Sequence, residues 1–153
     1  MAQQPVAVEL AIWFHDAIYD PHAYDNEERS AELARRWISE CGGSVDLCNS
    51  VGTLVMATKT HEPNTYADAP LLVDVDLSIL GQPKARFDEY ERQIRAEYGW
   101  VPEKIFAAKR AEILQRFVER PRIYMTKHFL EKYEQLARGN LERSIAALEA
   151  RSE

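Results

Sequence analysis

A few residues in the first half of the chain have the types and the setting to do chemistry: the adjacent pair His15 and Asp16, then His61, then an aspartate inside the apolar segment PLLVDVDLSIL at 70–80. His15 and Asp16 sit within an otherwise apolar stretch, where an ionised aspartate is costly unless it is paired or bound to a metal. Adjacent side chains on a helix point about 100° apart, so both can reach one ion only where it lies at the flank or end of that helix. Their place shortly before Asp20-Pro21 suits a helix end. A buried His-Asp hydrogen bond with no metal would account for the same pair equally well.

Asp74 and Asp76 stand two apart, about 200° around a helix, and so cannot both face one site. Asp76 has Leu72, Val73, Ile79 and Leu80 as its three- and four-residue neighbours, whereas Asp74 has Pro70, Leu71, Leu77 and Ser78. That pattern predicts Asp76 as the inward carboxylate and Asp74 as an exposed or capping residue. His61 closes a helical segment just before Glu62-Pro63; it can bind a metal or a phosphate, or simply complement the helix dipole. His22, in a turn, and His128, with no acidic neighbour four residues away, read as surface residues. Glu27 and Glu28 open a helix just after the His15-Asp16 turn, so one of them can orient a water as a base, or both can serve the helix N-terminus. Lys59, Arg95 and Arg110 are candidate phosphate partners, Lys59 first because it neighbours His61; Arg95 can instead pair with Asp88 or Glu91 on its own helix.

The elements that must position these residues read as helices throughout. Six glycines and seven prolines fall mostly between periodic segments, where helices start or stop. A first helix is expected over 6–18, apolar nearly all round and so buried centrally. A second follows the N-cap Asp25 and stops at Gly42-Gly43; a third, capped by Ser44, runs towards His61, with a polar loop over 62–68. The 70–80 run resembles a buried strand in composition, but its helical neighbours favour helix. Amphipathic helices over 83–98 and 102–120 and a last helix over 127–150, interrupted near Gly139-Asn140 and carrying a Leu136, Leu141, Ile145, Leu148 stripe, complete an all-α reading.

At 153 residues, the chain fits one domain. Cys41 and Cys48 match no common zinc spacing and read as reduced thiols. A net charge of -6 argues against a nucleic-acid surface, and no apolar run reaches the roughly 18 residues of a membrane span. The N-terminus lacks the features of a secretory signal, so a cytoplasmic protein is expected.

The order His15-Asp16, His61, Asp76 resembles the HD superfamily of metal-dependent phosphohydrolases. Ala-Ile-Trp-Phe-His-Asp-Ala-Ile-Tyr-Asp (11–20), Asn-Glu-Glu-Arg-Ser-Ala (26–31), Ile-Arg-Ala-Glu-Tyr (94–98) and Ala-Arg-Gly-Asn-Leu (137–141) are similar to a bacterial branch, the predicted metal-dependent HD-domain phosphohydrolases. The resemblance spans almost the whole chain and implies a bundle of about six to seven helices in a single HD-like domain over 1–153. It implies His15, Asp16 and Asp76 as ligands of a divalent ion, with His61 at a second metal position or on the substrate, and Glu27 as the favoured water-orienting base. Manganese, iron, magnesium, zinc and nickel all suit such a donor set. The implied reaction is hydrolysis of a small phosphorylated molecule, a nucleotide or related phosphoester, by a metal-acidified water. The chain departs from the family in having no histidine upstream of His15, where members carry one more metal ligand. Three expectations compete: Met1 is internal to a longer frame, His22 substitutes, or metal binding is lost. The missing upstream helix would also uncover apolar surface on 6–18. The rival reading is a non-catalytic helical module acting through homo-oligomerisation or partner binding, by way of the stripe on the last helix and the uncovered first helix.

Overall fold

The computed structural model describes residues 2–61 and 66–152; Met1, Glu153 and the 62–65 portion of the expected polar loop lie outside the described residues. Among the described residues the chain is all α, with no strand. No helix among them is long and apolar enough to cross a membrane. The chain divides into two compact units, Met1–Asp76 and Leu77–Glu153.

The first unit holds α1 (Pro5–Phe14), α2 (Asn26–Glu40), α3 (Val45–Ala57) and α4 (Ala69–Asp76). α3 is its centre, packed by α1, α2 and α4. The core there is Ala11, Ala31, Ala34, Val51, Leu54, Val55, Leu72 and Val73, all essentially inaccessible. α1 begins with Pro5, and its preceding backbone amides are satisfied from far along the chain: Asp68 accepts from Gln3 N at 2.8 Å and Gln4 N at 2.7 Å. A carboxylate at that end also complements the helix dipole. Ser44 caps α3 as expected, accepting from Leu47 N. Gly42, at φ 79°, supplies the left-handed residue that ends α2.

α1 is not buried all round. Ala7, Val8 and Ala11 are buried, but Val6, Ile12 and Trp13 are 60%, 37% and 76% exposed. An apolar perimeter predicts burial only if neighbours cover it, and among the described residues they cover the face with the smaller side chains. The helix also stops at Phe14, before the expected 18, because the following loop is pinned by side chains of α2. The Ser30 hydroxyl accepts from Ile18 N and donates to Ile18 O, and the Asn26 amide brackets Asp20, accepting from its N–H and donating to its carbonyl.

The second unit comprises a 3-10 helix (Leu77–Gly81), α5 (Lys84–Glu97), α6 (Glu103–Val118) and α7 (Lys127–Ser152). The 70–80 run is therefore helical, finishing in 3-10 geometry. α7 is continuous through Gly139-Asn140, against the expected interruption. Asn140 is there to bind: its amide donates to Leu80 O and Gln82 O, each at 2.9 Å. Gly81 lies so close to α7 that an added Cβ would stand 2.5 Å from Tyr133 Cβ. Buried Glu134 accepts from Ile123 N and Tyr124 N and pairs with Arg138 at 2.8 Å, fixing the bend before α7. The buried stripe of α7 runs through Ala137, Leu141, Ile145 and Leu148, while Leu136, counted into it from sequence, is 52% exposed because it points about 100° away from Ala137.

Candidate functional site

Three helix ends of the first unit bring the expected residues together. His15 is the C-cap of α1, and its Nδ1–H donates to Ile12 O at 2.9 Å. That bond turns Nε2 towards two carboxylates, Asp16 Oδ2 at 3.3 Å and Asp76 Oδ1 at 3.6 Å. Asp76 is the last residue of α4, and its other oxygen accepts from His61 Nε2 at 2.8 Å. His61 lies a short turn beyond α3 at φ 51°, a left-handed conformation that side-chain-bearing residues rarely take. Residues from 15 to 76 thus converge on the Asp76 carboxylate.

The charges follow from this geometry. His15 is raised to about 9, chiefly by its contact with the Asp76 carboxylate and further by the charges of Asp76 and Asp16, against the opposing effect of burial. Burial by itself would raise Asp76, but bonding to His15 and His61 outweighs it and holds the carboxyl at about 2. Asp16 is raised, first by loss of hydration and then by the negative charges of Asp76 and Glu27, partly offset by His15. Glu27, partly buried in the first turn of α2, is thus within electrostatic reach of Asp16.

Other expectations fare differently. Asp74, expected outside or at a cap, is fully buried, whereas Asp76 is half-buried. The neighbour argument failed because α4 ends at Asp76 and tightens to 3-10 geometry, so Ile79 and Leu80 no longer stand at α-helical angles to it. Lys59 is held by the Glu28 carboxylate and donates to Tyr24 O at 3.0 Å. The bond lowers Glu28 and raises Lys59. Arg95 pairs with Glu103 at 2.9 Å rather than with Asp88 or Glu91, and donates to Tyr98 O and Val101 O. Arg110 pairs with Glu91 at 2.5 Å. His22 and His128 are exposed, as expected. Residue-by-residue reasoning missed Asn26 and Ser30, which hold the 15–20 loop; the available signal was a polar pair one helical turn apart on the side of α2 facing that loop.

Whether this cluster suits a divalent ion can be tested on its donors. Ligands about 2.0–2.2 Å from one ion in tetrahedral or octahedral array stand about 2.8–3.6 Å from each other. The three separations here, 2.8, 3.3 and 3.6 Å, are of that size. The Nδ1 bond to a backbone carbonyl is also what orients a metal-binding imidazole. Among the described residues, however, no three His, Cys, Asp or Glu side chains stand ready around a common ion position. The donors bond to one another instead, with Asp76 shared by two imidazoles. Imidazole and carboxylate are donor types that transition metals accept, and in this structure they are paired with one another.

By fold and cluster this is an all-α protein with a His-Asp centre at converging helix ends. No family model, curated protein or solved structure matches the chain.

Proposed function

We propose that this protein is a metal-dependent phosphohydrolase with an HD-like helical bundle, acting on a small phosphorylated molecule such as a nucleotide or related phosphoester. The observation that carries the reading is the meeting of His15, Asp16 and His61 around Asp76, from chain positions as much as 61 residues apart. Imidazole and carboxylate donors at such spacing suit manganese, iron, magnesium, zinc or nickel. A bound divalent ion supplies an acidified water and neutralises charge on the phosphoryl oxygens.

The chain's own residues have distinct tasks in this reading. Ile12 O orients the His15 ring, and Asn26 and Ser30 fix the loop that carries Asp16. Asp76 holds His15 and His61 in register. Glu27, whose charge reaches Asp16, would accept the proton of the attacking water. Lys59 ties the first turn of α2 to the end of α3 through Glu28, so a phosphate reaches it only by displacing that carboxylate.

The test is metal content by elemental mass spectrometry for the parent, His15→Ala and Asp76→Ala, followed by a phosphoester panel on the metal-loaded parent. Near-stoichiometric metal lost in both variants, with turnover of a phosphoester, supports the proposal. Metal-loaded protein that hydrolyses nothing across a broad panel sinks it. The competing reading, self-association through the apolar side chains that α1 and α2 expose, draws on Ile12, Trp13 and Trp37. It predicts a dimer in light scattering and no change in melting temperature on adding divalent ions or chelators.

A further inference from the structure

The second unit contains a cavity of about 520 Å³ lined by α5, α6 and α7, and its charge is opposite in sign to that of the whole chain. Lys84, Arg92, Arg95, Arg143 and Arg151 line it, against the carboxylates of Asp88 and Glu91. The carboxylates are oversubscribed. Asp88 is shared by Lys84 at 2.6 Å and Arg143 at 2.7 Å. Glu91 is already occupied by Arg110 and by the Ser144 hydroxyl. Glu103 is shared by Arg95 at 2.9 Å and Arg151 at 3.8 Å. Arg92 is exposed and has no carboxylate partner among the described residues.

From this we infer that the cavity is a binding site for a small polyanion of the phosphate class, separate from the His15–Asp76 cluster and independent of how that cluster is read. Guanidinium groups present paired N–H donors that match phosphate oxygens, and a concave site concentrates their field. The Arg95 guanidinium is already set in place, stacked 4.6 Å from the Phe106 ring and bonded to two backbone carbonyls, so little side-chain entropy is lost when an anion engages it. A volume of about 520 Å³ leaves room for a molecule carrying two or three linked phosphoryl groups.

Isothermal titration calorimetry of the full chain with inorganic tripolyphosphate, in chelator-treated buffer at low salt, tests the site. Saturable binding at one site per chain is expected, weakened about tenfold or more in Arg92→Ala/Arg151→Ala because two cationic partners are lost. Both side chains are exposed, so the fold should survive, and circular dichroism checks this. Lys109→Ala/Lys127→Ala removes the same formal charge at exposed positions outside the cavity and should change affinity by less than about twofold. Glu103→Gln frees Arg95 and Arg151 from their shared carboxylate and should tighten binding by about threefold. Absence of saturable heat, or equal weakening by the two double variants, would overturn the inference, as would weaker binding in Glu103→Gln.

Discussion

In Met1–Asp76 the ends of α1, α3 and α4 press imidazoles and carboxylates together, and one carboxylate, Asp76, serves two histidines. In Leu77–Glu153 the excess runs the other way: cations outnumber the carboxylates along one cavity, and Asp88 and Glu103 each serve two basic side chains. A net charge of -6 for the chain describes neither place. What each can bind is set by which groups lie close together, since charges spread over the surface are screened within about a Debye length. On the proposals made above, the first arrangement takes a cation and the second an anion.

Several experiments break or sharpen that contrast. The largest effect is expected from Asp76→Ala, which should reduce divalent-ion affinity by more than about 100-fold in calorimetry, because the shared carboxylate is removed outright. Asp88→Ala, the shared carboxylate of the other unit, should leave that affinity unchanged. Equal losses in both would erase the distinction between the units.

Next is Glu134→Ala in the second unit. It strands the buried amides of Ile123 and Tyr124 and the Arg138 charge, and should lower unfolding stability by about 2–4 kcal/mol in urea titration. Its counterpart in the first unit, Asp68→Ala, removes a capping carboxylate and should cost about 1 kcal/mol. A larger loss for Asp68 than for Glu134 would show that the α1 cap carries more of the fold than its two bonds suggest.

The pH response of the metal-free protein should follow the first unit. His15 has a folded value of about 9, above its ordinary 6.5, so its stabilisation is complete below about pH 6.5 and is lost as pH rises through 9. Asp76 has a folded value of about 2, below its ordinary 3.8, so its contribution is present above about pH 4 and is lost as pH falls towards 2. Denaturant midpoints of chelator-treated protein should therefore be highest between about pH 4 and 6.5 and decline on either side. His15→Gln should remove the alkaline decline, and its persistence would place the titration elsewhere. The smallest effect belongs to Glu112→Ala, which breaks surface pairs with Lys109 and Arg116 and should leave the melting temperature unaltered.

Much of the fold was legible because helix periodicity and helix stops are local. Ser44, Gly42 and the prolines ahead of α5 and α6 mark their boundaries in the structure as the sequence suggested. The meeting of His15, Asp16, His61 and Asp76 was expected from the family resemblance of their order along the chain, whereas their pairing was not: nothing local says that Asp76 bridges two imidazoles or that Ile12 O orients one of them. The Asp74 expectation failed at a change of helical pitch, and the 6–18 helix was cut short by Asn26 and Ser30, residues of another helix. Lys59 and Arg95, candidate phosphate partners in sequence, are paired in space with Glu28 and with Glu103, the latter on a different helix from the carboxylates expected for Arg95.

By itself, then, the sequence determined helical class, most helix limits and the identity of the donor groups, because these depend on hydrogen bonding and side-chain periodicity within a few residues. Tertiary structure alone decided which face of α1 is covered, where Asp68, Asn140 and Glu134 spend their polar groups, and how cations gather around the α5–α7 cavity. The physical reason is that each of these is a contact between residues distant in the chain, and a polar group's partner is fixed only when packing removes the water that would otherwise serve.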